Sequence, residues 1–385
     1  MNKISKKTLF TILITFVATC LFTSVFRPYS ADFKRLERIM QIIDEQYVGD
    51  YSTEKCEDAA INAVLGSIDD KYAVYYDEEN AKETMQNIEG YYYGIGIEVF
   101  ANTQKNAIEI LSVHAASPAE KAGIMQGDLL ISADGKEYGA DGLADAVSYI
   151  KGDGTEASLG KSIELILSRG GEKITVTLKR EKLGLYVVKS ETVDNICYIR
   201  YDGFTQKSLS DFKKIVNSLD EEKIKGLVID IRYNPGGEFS SVIQMCDLFL
   251  DDEPIMYTLD KKGEKTVYTG TKGKKDFPMA VIVGGASASA SEVFAGAMQA
   301  NKRAVIIGEE TFGKGVTQSV MYLDRVDKSM GALKLTTYKN YTPDGRWINE
   351  KIIPDIKVKI DKIGSDIRED AAFKAAVDYF NKEKQ

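Results

Sequence analysis

Two short apolar runs constrain this chain's fold more than any other feature: residues 227–231, "LVIDI", and Met279–Val283, "MAVIV". Neither suits a sheet with one wet face, because apolar residues do not alternate with polar ones. Runs of this kind belong to strands covered on both sides, as in a parallel sheet flanked by helices. Helix-period segments follow each run, "FSSVIQMCDLFL" after the first and "SASEVFAGAMQANK" after the second. Upstream, "ICYIRYDGF" and "SLSDFKKIVNSLDEEK" make another strand–helix pair. Residues 184–362 therefore read as an α/β core.

With 385 residues, the chain has room for more than one core. Residues 90–183 change texture to short strands separated by Gly and Asp-Gly turns: "GIGIEVFA", "AIEILSVHA", "GDLLISADG", "SIELILSRG" and "KITVTLKRE". The helical insertions "SPAEKAGI" and "GLADAVSYIKG" complete a compact α+β domain. Residues 31–89 read as a helical module, with Phe33, Leu36, Ile39, Met40, Ile43 and Tyr47 close to one helical face. Residues 363–385 read as a C-terminal helix with Ile367, Ala371, Phe373, Val377 and Phe380 near one face. The fold class expected is a multidomain α/β protein.

Residues 1–30 stand apart. Lys3, Lys6 and Lys7 precede an uncharged stretch that ends at Arg27, and residues 9–26 are 18 in number, enough to span hydrocarbon. The reading is a single-pass signal anchor with its lysines in the cytoplasm and everything after Arg27 outside the cell membrane. A cleaved signal is the alternative, although no clear A-x-A site follows. Cys20 reads as part of the span, because Thr19 before it suits a lipoprotein box poorly.

The formal net charge of -8, without a basic stripe, argues against nucleic-acid binding. The 4 cysteines are scattered without a CxxC pair, and with 1 histidine a zinc site lacks ligands. Neither a metal nor a cofactor is called for.

The chemistry gathers in "VGGASASASEVFAGAM", where Ser287, Ser289 and Ser291 alternate between an apolar run and a helical pattern. Ser289 stands three residues before Glu292, the spacing of a capping box, so it could simply start a helix. A strand-to-helix turn at the end of a buried strand is also where ligands gather in such sheets, and a helix N-terminus offers free amides to a developing anion. His114, the one histidine, lies far upstream in the strand-rich domain and receives no role. A serine nucleophile would then need another base, and a lysine can serve only when uncharged. "IIGEETFGKGVTQSVMYL" places Lys314 between Gly313 and Gly315, beside apolar neighbours that would desolvate it. If that stretch is extended, Gln318 shares a face with Lys314 and could accept a hydrogen bond from the amine without adding charge. Gly308 to Lys314 also has the spacing of a phosphate loop. Gly315 in the Ser/Thr position, the repelling Glu309 and Glu310, and the strand-like pattern that follows all count against it. Finally, Pro235-Gly236-Gly237 after a buried strand forces a tight turn, and its amides could complete an oxyanion hole with that of Ala290.

Together these elements resemble the carboxyl-terminal processing peptidases, also called tail-specific proteases. The match runs through "LGSIDDKYAVYYDEEN", "YYGIGIEV", "SPAEKAGIMQGDLLISADGK", "VIDIRYNPGG", "SASASEVFAGAMQ", "TFGKGVTQ", "NYTPDGRWI" and "IIPDI". The resemblance implies Ser289 as nucleophile, Lys314 as base and Gln318 as its assistant. Some members carry an acid after "MQ"; Ala300 stands there in this chain, which favours Gln318 over a carboxylate partner. It further implies a crotonase/Clp-protease-like core, a PDZ domain over residues 90–183, and capture of a substrate's C-terminal carboxylate near Gly94, Ile95, Gly96 and Ile97. Protein substrates with exposed apolar C-termini are the partners expected, and the helical ends are implied to mediate a homodimer. The rival is a non-catalytic receptor that binds tails through its PDZ module; peptide binding without Ser289- and Lys314-dependent cleavage would distinguish it.

Overall fold

The computed structural model describes residues 33–114, 117–152, 156–184, 188–324, 326–360, 363 and 366–382. The apolar stretch at 9–26 lies outside the described residues, and among those described no helix is long and apolar enough to cross a membrane. The chain divides into two compact units, residues 1–64 and 65–385.

In the first unit, helix α1 (Lys34–Gln46) precedes α2 (Thr53–Gly66), which runs just past the division. The helical periodicity of this region is realised, yet neither helix has a buried residue. The helical reading is interrupted after α2. Val74–Tyr76, aromatic and β-branched, forms strand β1, and α3 (Glu78–Glu89) follows it.

The PDZ-like part of the second unit contains β2 (Tyr91–Gly94), β3 (Ile97–Asn102), β4 (Ala107–Val113), α4 (Pro118–Lys121), β5 (Leu129–Ala133), β6 (Lys136–Glu137), α5 (Leu143–Lys151), β7 (Ser162–Arg169), β8 (Glu172–Lys179) and β9 (Glu181–Gly184). Its main sheet has the order β3-β4-β5-β7-β8, with β6 attached to β5, while β2 pairs with β9. Ile108, Ile110, Ile163, Leu165 and Leu167 are buried beneath α5 residues Ala146 and Ile150 in a core of its own. Strand β3 lies at the edge of this sheet.

The α/β core follows: β10 (Val188–Val193), β11 (Ile196–Tyr201), α6 (Gln206–Ser218), β12 (Gly226–Asp230), α7 (Phe239–Asp247), β13 (Pro254–Leu259), β14 (Lys265–Thr269), β15 (Met279–Val283), α8 (Ala290–Ala300), β16 (Val305–Gly308), β17 (Val316–Tyr322), β18 (Ala332–Tyr341), β19 (Ile356–Lys357) and α9 (Ala371–Lys382). Strands β11, β12, β15, β16 and β19 are parallel neighbours in that order, and β10 joins β11 antiparallel. Every residue of β12 and β15 is buried, as their near-continuous apolar sequences require, and the one charged residue, Asp230 of β12, pairs with Arg232. One face packs on α6, α7 and α8 through Phe212, Met245 and Phe294. The other packs on α9 through Phe373, Ala376 and Phe380. Gly226 lets Phe380 approach: a methyl group there would lie 2.4 Å from its ring.

A second sheet, ordered β1-β18-β13-β14 with β17 on β18, was not legible as a unit in the sequence. Through it residues 74–76 pair with 332–334.

Candidate active site

Three adjacent parallel strands end at one edge of the core sheet. After β12 comes Asn234-Pro235-Gly236-Gly237, after β15 the serine-rich turn, and after β16 the segment carrying Lys314. Ligands of open α/β sheets gather at such carboxyl edges.

The three alternating serines have different fates. Ser287 is buried, and its hydroxyl donates to the Ile231 carbonyl at 2.8 Å. Ser291 is buried as well, and its hydroxyl donates to the Asn234 carbonyl at 2.8 Å. Both brace the serine turn against the turn after β12. Ser289 is half-buried, with φ 56° and ψ -113°, a backbone conformation that a side chain ordinarily avoids. It sits at the sharp junction of strand and helix, and Ala290, the first residue of α8, has no intrahelical acceptor for its amide.

Glu292, fully buried, explains how the strained turn is held. Its Oε2 accepts the main-chain amides of Ser289 at 2.9 Å and Lys314 at 2.8 Å. Its Oε1 accepts the Thr311 hydroxyl and the Gly313 amide, each at 2.6 Å. Four donors, with a position in the first turn of α8, offset the cost of taking a carboxylate out of water. The capping spacing S-x-x-E contained this residue, but its second function could not be read from spacing alone.

Lys314 is half-buried. Desolvation lowers its pKa from the ordinary lysine value, and repulsion from Lys334 lowers it further, against the attraction of Glu292. These are conditions that favour an uncharged amine. Gln318 does not meet that amine. Its Nε2 donates weakly to the Val316 carbonyl at 3.4 Å and the Thr336 hydroxyl at 3.5 Å, and among the described residues no hydrogen bond joins it to Lys314. The assumed alternation does not reach Lys314: β17 begins only at Val316, and the irregularity beside Gln318 places its extra residue, Thr337, on the partner strand β18.

Gly236 lies against the serine. A methyl group on it would fall 2.9 Å from Ser289 Cβ and 2.7 Å from the Ala288 carbonyl oxygen. Its amide, however, donates to Asn234 Oδ1 at 2.8 Å and is thereby committed. Gly237 is different. Phe204 bonds to its two neighbours, to the Gly236 carbonyl at 2.9 Å and from the Glu238 amide at 2.8 Å, so the parallel bridge leaves the Gly237 amide facing away. Buried Asn234 is the second residue that sequence reasoning missed: its Nδ2 holds the Tyr201 carbonyl at 2.9 Å while its own carbonyl accepts Ala288 at 3.1 Å.

In the PDZ-like part, Gly94, Ile95, Gly96 and Ile97 line a cavity of about 60 Å³ together with Tyr92, Val147 and Lys151. Gly96 has φ 85° and touches Ser117 so closely that a methyl group would lie 2.2 Å from its Cβ. The Ile95 and Gly96 carbonyls accept the amides of Ala119 and His114, both at 2.9 Å. His114 itself packs outward, its Nδ1 3.0 Å from the Tyr92 hydroxyl.

A parallel core sheet with a serine at a strained helix start, joined to a PDZ-like module, is the architecture of a serine peptidase with an accessory PDZ domain. Peptidase family S41 matches residues 195–358 and a PDZ domain matches residues 109–159. The carboxy-terminal processing protease CtpB of Bacillus subtilis (strain 168) is 34% identical over 334 residues, which cover 84% of this chain and 67% of that protein. A carboxy-terminal-processing protease of Bartonella bacilliformis is 35% identical over 340 residues, 85% of this chain and 76% of the relative. The solved photosystem II D1 C-terminal processing protease has the same fold, with a TM-score of 0.52 at 24% identity over 86% of this chain and 88% of that one. The chain belongs to the carboxy-terminal processing proteases of family S41, a family of serine-type peptidases.

Proposed function

We propose that this chain is a membrane-anchored endopeptidase on the extracytoplasmic side that cleaves exported proteins near their C-termini through Ser289 and an uncharged Lys314. The observation that carries the reading is the division of labour among the serines. Two are spent in bracing bonds, and the third stands strained and half-buried at a helix N-terminus beside a desolvated lysine segment.

In this mechanism Ser289 Oγ attacks the scissile carbonyl carbon while its proton passes to the Lys314 amine. The oxyanion of the tetrahedral intermediate is held by the amides of Ala290 and Gly237. On collapse the C–N bond breaks, and the Lys314 ammonium returns the proton to the leaving amine. Water then hydrolyses the Ser289 ester with Lys314 again as base. Gln318 takes part only if β17 shifts to bring its side chain to the amine.

The substrate's tail adds to the open edge of β3, with its carboxylate at the Gly94–Ile97 loop and its terminal apolar side chain in the cavity beside Val147. Residues 9–26 supply the anchor. The exposed apolar residues Phe33, Leu36, Ile39 and Ile42 of the α1 region support a homodimer.

The test is mass spectrometry of exported proteins from cells carrying the active chain or its Ser289→Ala variant. Shortened C-termini that depend on Ser289 support the reading. Identical C-termini in both, with tail binding intact, would leave a receptor.

A further inference from the structure

The turn before β1 meets the base. Lys314 Nζ lies 5.0 Å from the centroid of the Tyr72 ring, within cation–π range. The turn is not loose. Asp70 Oδ1 accepts the Tyr72 amide at 3.0 Å and the Thr336 hydroxyl at 3.0 Å, and its Oδ2 accepts the Thr336 amide at 2.9 Å. Thr336 is also the residue opposite Gln318 in the β17–β18 ladder. One carboxylate thus ties the tyrosine that meets the lysine to the strand that carries the glutamine's neighbour.

We propose that Tyr72 is a positioning residue for Lys314, its ring holding the amine while charged and releasing it towards Ser289 once the proton is gone. The physical basis is an asymmetry: the negative face of an aromatic ring attracts an ammonium and has little hold on a neutral amine. The contact therefore opposes the desolvation that drives the proton off, and fixes where the amine rests whenever it is charged. The proposal rests on the Ser–Lys reading above.

Other charged groups act on the same amine and must be held constant. Lys334 on β18 repels it, Glu292 on α8 attracts it, and Lys71 shares the Tyr72 ring, its Nζ also 5.0 Å from the centroid. Glu310, from the same segment as Lys314, is engaged by Lys351 at 3.9 Å and Lys357 at 3.6 Å.

The experiment is the pH dependence of kcat/KM on a fluorogenic peptide with an apolar C-terminus, for wild type, Tyr72→Leu, Tyr72→Phe, Asp70→Asn and Lys314→Ala, each first checked for cooperative thermal unfolding. Removing the ring's attraction destabilises the ammonium, so the neutral base persists to lower pH. Tyr72→Leu should move the acid limb down by about half a pH unit, and Tyr72→Phe should keep the wild-type limb. Asp70→Asn, which loosens the turn without deleting the ring, should move it in the same direction by less. An acid limb in Tyr72→Leu that stays in place or moves up overturns the proposal. Should Lys314→Ala hydrolyse the peptide as fast as wild type, it is the Ser–Lys reading that fails, and the two failures are thereby told apart.

Discussion

Ser289 and Lys314, from the ends of neighbouring strands, donate their main-chain amides to one and the same atom, Oε2 of Glu292, at 2.9 and 2.8 Å. Their backbones are thus registered against each other by a single buried oxygen. The register does not depend on substrate. It also leaves both side chains free to move while their origins stay fixed.

Glu292→Gln tests that register. The carboxamide presents N–H groups where amides already point, so some of the four buried donors lose their acceptor. A destabilisation of about 2–4 kcal/mol is expected from the urea midpoint. In the folded fraction kcat should fall by roughly 10²-fold or more, with KM changed little, because misplacement rather than lost contact limits the reaction. Unchanged kcat would show that the shared oxygen is incidental to the chemistry.

The pH profile follows from the charges around the base. Burial and Lys334 both favour the neutral amine of Lys314, so its folded pKa lies below the ordinary lysine value, and activity must rise as pH passes through it. Lys334→Met removes the repulsion, stabilises the ammonium and should move the acid limb of kcat/KM up by about half a pH unit. A downward movement would contradict this assignment.

Gly236→Ala places a methyl group against Ser289 Cβ and the Ala288 carbonyl, at a residue with φ 106°. The serine turn must shift. Steady-state kinetics should show kcat reduced about 10²-fold, while fluorescence-detected binding of an apolar-tailed peptide to the PDZ domain stays at the wild-type level.

Beneath the same strand end, Arg232 lies buried between Asp230 and Asp370, meeting Asp370 through two bonds of 2.6 and 3.0 Å. Asp370 also accepts the amides of Ala372 and Phe373 at the start of α9, so this pair anchors the C-terminal helix to β12. Asp370→Asn leaves a buried guanidinium poorly compensated, and a loss of about 3 kcal/mol in denaturant unfolding is expected.

The buried strands were legible because burial on both faces writes itself as unbroken apolar sequence, as in Met279–Val283. The serine turn was legible because helix starts and tight glycine turns carry local signals. What local pattern could not show were relations across the chain. Val74–Tyr76 pairs with a strand more than two hundred residues on, so a helical reading of its surroundings missed it. Gln318 seemed to face Lys314 only while the stretch was taken as extended throughout, and the strand begins only at Val316. Gly236 and Gly237 were equivalent as letters, and the bond from Gly236 to Asn234 and the bridge of Gly237 to Phe204 separate them. Glu292 was masked by its own sufficient explanation as a capping residue.

The central claim is that Ser289 is nucleophilic because Lys314 can be uncharged. Labelling with a fluorophosphonate probe, followed by peptide mass spectrometry, tests it most directly. The adduct should sit on Ser289, with none on Ser287 or Ser291, its rate should rise with pH alongside deprotonation of Lys314, and Lys314→Ala should abolish it. Labelling of another serine, or equal labelling of Ser289 in Lys314→Ala, would contradict the account.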